Sequence, residues 1–247
     1  MISLQNIKVS FGDRCILDGI SADIAEGRIT AVMGPNGCGK TTLLRCIGGL
    51  LEPNGGEVLI DGIKVQDYSA RGLAQRVALV RQQAQTDFEF SAFETVLMGR
   101  NPWQRRLQNE SQADWDIVER CMRQTNTWHL RFAKPGEMSG GELQRVMIAR
   151  ALAQQTPVLL LDEPVSNLDI AHQLEIMRLL CDAKEKSIVI VIHDLNLALQ
   201  FCDDLLLFHE GQLLYQGPVA DGLTSENIRK VYGVSSHTAD GRIIFDY

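Results

Sequence analysis

Residues 34–42 read GPNGCGKTT and fit the pattern G-x-x-x-x-G-K-[ST] in full, with Gly34, Gly39, Lys40 and Thr41 at its fixed positions. An apolar run, ITAVM, leads into the loop, and a helix-like stretch, LLRCIGGLL, leaves it. This is the chemistry of a phosphate cradle. Gly37 and Gly39 let the main chain approach an anion and adopt conformations closed to other residues. Successive N–H groups and the helix N-terminus then face the phosphates. Lys40 would reach the β- and γ-phosphates, and the Thr41 hydroxyl would ligate Mg²⁺. Pro35, Asn36, Cys38 and Thr42 complete the loop, with Cys38 as a small filler and no catalytic role. A chance match in a glycine-rich turn is the competing reading, and the strand before and helix after argue against it.

A second group of residues supplies what a triphosphate needs for hydrolysis. VLLLDEP at residues 158–164 is an apolar strand ending in two adjacent acids. Asp162 is placed to hold Mg²⁺ through water, and Glu163 to accept a proton from the attacking water or to orient it. Neighbouring residues on a strand point to opposite sides, so two acids suit two roles. His193 follows the apolar run SIVIVI; it is either a strand-end cap or a contact to the γ-phosphate. Gln82, after VALVRQ, could sense Mg²⁺ or water, although glutamine is common on surfaces. A third stretch, GEMSGGELQR at residues 136–145, is a second turn able to bind phosphate, with Ser139, Gly140, Gly141 and Glu142 at its centre. Ser139 and Glu142 also have the Ser-x-x-Glu spacing of a capping box, so the bland reading is a helix cap and the sharper one a phosphate clamp.

The elements that must hold these groups are legible in part. Residues 2–10 alternate as a strand, and residues 57–60 and 77–80 read as further strands. Continuous apolar runs at 158–161 and 188–192 suit parallel strands buried on both faces. Residues 88–155 read as mostly helical. Ser111-x-x-Asp114 marks a helix start, and Trp115, Val118, Met122 and Thr125 follow at helical spacing as core packing. A hairpin is expected around Glu210-Gly211. The expected fold is α/β.

Composition narrows the classes further. The chain has 247 residues, 45% of them hydrophobic and 22% charged, as in an ordinary water-soluble protein. A net charge of −7 provides no basic field for nucleic acid. Arg100, Arg105 and Arg106 form a local basic cluster, expected to be a solvated face or a subunit contact. The six cysteines contain no CxxC pair, which favours reduced thiols over a zinc site or a disulfide framework. No signal peptide is visible at the N-terminus, and no stretch reaches the ~18 apolar residues of a membrane helix.

Taken together, these motifs resemble those of the ATP-binding subunits of ABC transporters, in order and over nearly the whole chain. In that likeness residues 34–42 are the Walker A loop, Gln82 the Q-loop and residues 139–142 the signature. Residues 161–163 close Walker B, residues 166–169 with Asp169 are the D-loop, and His193 is the switch histidine. Phe11 stands where the family stacks an aromatic on adenine. The resemblance implies a P-loop NTPase (RecA-like) core with an N-terminal antiparallel β part and an inserted helical subdomain. It divides a single ABC ATPase domain, 1–247, into a nucleotide-binding core, 1–87 and 156–247, and a helical subdomain with the signature, 88–155. It implies ATP and Mg²⁺ as ligands, and a head-to-tail dimer in which the signature turn of one copy completes the site of the other. Two polytopic membrane permease subunits and, indirectly, a substrate-binding protein are the further partners. The location implied is the cytoplasmic face of the membrane.

LMGRNPW at 97–103, HDLNLALQFCDD at 193–204 and the ending QGPVADGLTSENIRKVYGV are similar to the ATPases of iron-siderophore, haem and cobalamin importers, nearest to the ferric-dicitrate and siderophore type. Met138, Glu142, Arg81 and Val165 depart from the family's usual residues, and none removes a catalytic group. Two rival readings stand beside it. A non-transport family member acting on nucleic acid or ribosomes would usually carry a coiled-coil insertion or a second cassette, and neither is visible. Another P-loop enzyme, such as a kinase, would have no use for the signature turn.

Overall fold

The run ITAVM forms a strand with all five residues buried, and the elements around it follow from that burial. The structure is a computed structural model in which residues 1–81, 90–104, 110–166, 168–183 and 185–246 are described. In chain order the elements begin with β1 (Ile2–Phe11), β2 (Arg14–Ile24), β3 (Ile29–Met33), α1 (Lys40–Ile47), β4 (Gly55–Ile60) and β5 (Ile63–Lys64). Next come α2 (Ala70–Ala74), β6 (Val77–Val80), α3 (Ala92–Leu97), α4 (Gln112–Gln124), α5 (Gly140–Ala153), β7 (Val158–Asp162) and α6 (Ile170–Asp182). The chain continues with β8 (Ser187–Val191), α7 (Leu195–Phe201), β9 (Asp204–His209), β10 (Gln212–Pro218), α8 (Val219–Gly222), α9 (Ser225–Tyr232), β11 (Ser236–Ala239) and β12 (Arg242–Phe245). Two compact units result: Met1–Tyr68 with Lys184–Tyr247, and Ser69–Ala183.

In the first unit β2, β1, β4 and β5 form an antiparallel sheet in that order. Ile2, Leu4, Ile7 and Val9 of β1 are its buried row. The register between β1 and β2 slips between Leu4 and Ile7 and twice more along the pair. β3 lies between β8 and β9, parallel to both, pairing Ile29 with Ile188 and Thr30 with Asp204. All five residues of β8 are buried, as a strand covered on both faces requires. β9 and β10 make the expected hairpin, turning at Glu210 and Gly211 with φ of 48° and 77°. Two consecutive positive φ values match the right-handed twist of the strands they join.

In the second unit β6 and β7 pair in parallel, Val77 opposite Val158. Three helices, α3, α4 and α5, each begin at a complete capping box: Ser91 with Glu94, Ser111 with Asp114, and Ser139 with Glu142. In the α4 stripe Val118, Met122 and Thr125 are buried. Trp115 lies half-exposed at the rim, edge-on to Phe93 at 5.5 Å. The expectation for Arg100 is overturned. It is no part of a solvated basic face: it is 6% exposed and paired with Asp114 at 2.8 Å. A guanidinium at that depth is held by partners, not by water. Arg105 and Arg106 lie outside the described residues.

Candidate nucleotide site

The first unit carries the phosphate loop. β3 delivers Gly34 from a buried strand, and Gly39, with φ of 102°, is the N-cap of α1. The leading N–H groups of that helix, and the positive end of its dipole, open toward the loop with no capping side chain at Gly39 and no acid in the first turn. Lys40 is buried, and its ammonium donates to the carbonyls of Gly34 at 2.8 Å and Pro35 at 2.9 Å. The cation is thus tied across the loop by main-chain oxygens. The Cys38 thiol lies 4.0 Å from Lys40 Nζ; burial pushes its pKa up against the pull of the lysine. A neutral, buried thiol fits the role of filler.

Thr41 and Thr42 are half-buried on the first turn of α1, whereas Asn36 and Gly37 are exposed at the loop's tip. Phe11 closes β1 and is 55% exposed. His193 is exposed just beyond β8. The helix cap at that strand end is Asp194, whose carboxylate accepts from the N–H groups of Asn196 at 2.8 Å and Leu197 at 2.9 Å. That removes the need for His193 to act as a cap. Tyr232, at the end of α9, was not foreseen. Its hydroxyl is buried beside the Gly34 main chain and the Cys38 thiol, and burial pushes the phenol up to about 12. In the sequence it stands only as part of the importer-like ending, in KVYGV.

The second unit, described by itself, carries the acids and the signature turn. Asp162 is the buried last residue of β7. Glu163, next to it, takes a left-handed φ of 51°. Its carbonyl accepts from the Ser166 hydroxyl at 2.8 Å and from the Ser166 N–H at 3.2 Å. Asp169 is exposed and caps α6, accepting from the His172 N–H at 2.9 Å and meeting His172 Nδ1 at 2.8 Å. Those hydrogen bonds, the backbone one foremost, hold its carboxyl below the usual range. Gln82, and Asn167 of the D-loop, lie outside the described residues.

At the signature, Glu142 Oε2 accepts from both the N–H and the hydroxyl of Ser139, each at 2.8 Å. Ser139 Oγ in turn accepts the Glu142 N–H at 3.3 Å. The Ser139 N–H and hydroxyl together hold the Glu142 carboxyl below its ordinary range. Arg145, one turn further on, was also missed. It is 8% exposed, its Nε and Nη1 have no hydrogen-bond partner, and its ion pair with Glu175 spans 4.0 Å. A buried, under-partnered cation behind a positive helix end is an arrangement that favours an anion there.

Thr41 and Asp162 offer hard oxygen ligands. Among the described residues no cluster of three or more His, Cys, Asp or Glu side chains suits a softer metal.

A parallel-strand α/β core with this loop defines a P-loop nucleotide-binding protein. A sequence profile described as "ABC transporter" matches residues 17–166. The chain belongs to the ABC transporter family. It is 39% identical over 234 residues to the cobalamin import ATP-binding protein BtuD of Halobacterium salinarum, covering 94% of this chain and 58% of that one. The chain thus spans little more than half the length of that relative. It is 36% identical over 233 residues to the ferric enterobactin transport ATP-binding protein FepC of Escherichia coli, covering 93% and 86%. The dimeric structure of the ATP-binding cassette MJ0796 in a post-hydrolysis state with ADP and Pi superposes with a TM-score of 0.78 at 31% identity, covering 89% and 99%. The fold is therefore that of an ATP-binding cassette.

Proposed function

We propose that this chain is the ATP-binding and hydrolysing subunit of an importer of metal chelates, iron-siderophore first and haem or cobalamin next. The single observation carrying the nucleotide reading is the uncapped start of α1 with Lys40 tied across the loop that precedes it. The substrate class rests on the similarity to relatives named for cobalamin and ferric enterobactin. In this reading residues 34–42 hold the phosphates, with Lys40 on the β- and γ-oxygens, and Phe11 stacks on the base. Glu163 takes the proton of the attacking water, while His193 and Gln82 orient the γ-phosphate and that water. Thr41, Asp162 and Gln82 would hold Mg²⁺, which when bound neutralises phosphate charge. Residues 88–155 act as the helical subdomain, and 1–87 with 156–247 as the core.

Two copies pair head to tail, so that Ser139, Gly140, Gly141 and Glu142 of one face the triphosphate held by the other, with Asp169 beside that contact. The dimeric cassette structure and the under-partnered Arg145 support this pairing. ATP shifts the equilibrium toward the pair because it binds the paired form better, and hydrolysis removes that preference. In this reading the transport path belongs to two partner permeases, with this subunit on their cytoplasmic side; no described helix is long and apolar enough to cross a membrane.

The test is Glu163→Gln. Loss of a general base lowers turnover by about 10²–10⁴-fold. The variant should bind ATP, run as a dimer on gel filtration and barely hydrolyse. Wild-type turnover in it refutes the assignment. Stimulation of the reconstituted complex by binding proteins loaded with ferric siderophore, haem or cobalamin then decides the chelate.

A further inference from the structure

The signature turn opens α5, a helix of 14 residues, and the other end of that helix is held in an unusual way. The last carbonyls of a helix have no partners within it. Here two residues of the GRNPW stretch take them. Arg100 Nη1 donates to the Ala153 carbonyl at 2.8 Å, and Trp103 Nε1 donates to the Gln154 carbonyl at 2.7 Å. Arg100 also donates to Gln155 Oε1 at 2.9 Å and, through Nε, to Asp114 Oδ1 on α4 at 2.8 Å. Its guanidinium stands 5.8 Å over the Trp103 ring. A cation at this end complements the helix dipole.

The grip continues outward. The Pro102 carbonyl accepts from Arg71 Nε at 2.9 Å and Gln75 Nε2 at 2.7 Å. Gln154 Nε2 donates to the Ala74 carbonyl at 2.6 Å and the Val77 carbonyl at 2.9 Å. Gly99 sits so close that an added Cβ would collide with the Arg150 carbonyl. Every one of these residues belongs to the second unit.

We propose that Arg100 and Trp103 are positioning residues for the signature turn: by clamping the C-terminal end of α5 they set where Ser139 stands. The proposal rests on the reading that this turn faces the partner copy's nucleotide. At 1.5 Å per residue the helix is about 21 Å long, so a tilt of about 3° at the clamp moves the signature end by about 1 Å. The 98–103 segment thereby becomes a handle on the helix that carries the signature.

The experiment uses the full chain in a Glu163→Gln background, with ATP and Mg²⁺ as the probe. Trp103→Phe keeps the ring and removes the donor to Gln154; Arg100→Lys keeps the charge and removes the fork. Two quantities are read: ATP affinity at subunit concentrations too low for pairing, and the ATP concentration at half-maximal dimer. Both variants should bind ATP within twofold of the parent, and should need about tenfold more ATP to pair. A dimer of reduced yield at an unchanged midpoint would mean that the clamp merely supports folding, and would overturn the proposal, as would unchanged yield and midpoint. If the Glu163→Gln parent itself does not pair with ATP, the reading of the signature turn fails and this proposal falls with it.

Discussion

Gly39 and Gly37 both take positive φ, 102° and 79°, but their surroundings differ, and substitution at the two separates two costs. A Cβ on Gly39 would collide with Leu17 Cδ2 and come within 3.0 Å of the Ile16 carbonyl. A Cβ on Gly37 would meet nothing nearer than Arg14 Nη2 at 3.7 Å. Left-handed backbone costs an alanine about 1–2 kcal/mol at either position. Overpacking adds about 1–3 kcal/mol at Gly39 alone. Gly37→Ala should therefore lose about 1–2 kcal/mol and Gly39→Ala about 2–5 kcal/mol. With a urea slope of about 1–3 kcal/mol/M, their midpoints should differ by roughly 1 M. Circular dichroism gives the global transition. Alkylation of Cys46, a buried α1 thiol that burial raises to about 11, reports opening beside the loop. Saturating ATP, at about 100 times its dissociation constant, should stabilise the native chain by about 2.7 kcal/mol and Gly39→Ala by almost nothing. Equal midpoints for the two variants would refute the steric argument. Full ATP stabilisation of Gly39→Ala would refute the loop's role as the phosphate cradle.

Three further outcomes are expected. Glu142→Gln should keep the fold and match or exceed native ATP affinity, because a glutamine carbonyl can accept the same two Ser139 bonds without a negative charge; a clear loss of affinity in a nucleotide titration counts against this. The Glu94 and Glu142 carboxyls are held low in the folded chain, by the Ser91 hydroxyl foremost and the Ser139 N–H foremost respectively. Their contribution is present above the ordinary Glu value of about 4.3 and is lost as pH falls through the lowered folded values, so urea midpoints should be flat near neutrality and drop below about pH 4; a rise on acidification would contradict the sign. Asn196→Ala removes a two-bond clip, Asn196 Nδ2 to the Ile243 carbonyl at 3.2 Å and the Ile243 N–H to Asn196 Oδ1 at 2.8 Å. It should loosen the β11–β12 hairpin by about 1–3 kcal/mol, read as faster amide exchange at Ile243; unchanged exchange would show that the clip does not hold the hairpin.

Much of the scaffold was readable because burial on both faces leaves an unmistakable trace. ITAVM and VLLLD became β3 and β7, every residue buried. The Ser-x-x-Asp and Ser-x-x-Glu spacings became real capping boxes, since cap chemistry is local. β2 drew no expectation: its buried Leu17, Ile20, Ala22 and Ile24 alternate only over the last three, and its pairing with β1 is bulged. Arg100 was misjudged because arginine is usually exposed. Its partners Asp114, Ala153 and Gln155 lie far along the chain, and no local rule brings them together. Asn196 and Tyr232 were overlooked for the same reason: what they touch is set by the tertiary fold.

Glu163 deserves a different kind of consideration, that of what selection must hold in place. Its left-handed φ of 51° is a conformation that glycine or asparagine adopts readily and glutamate does not. Such backbone stores about 1–3 kcal/mol. A laboratory screen for heat tolerance alone should accordingly enrich glycine or asparagine at position 163. Selection for ATP turnover should restore glutamate if the proposed base assignment holds. The residue proposed as the base is one that the fold, left to itself, would exchange.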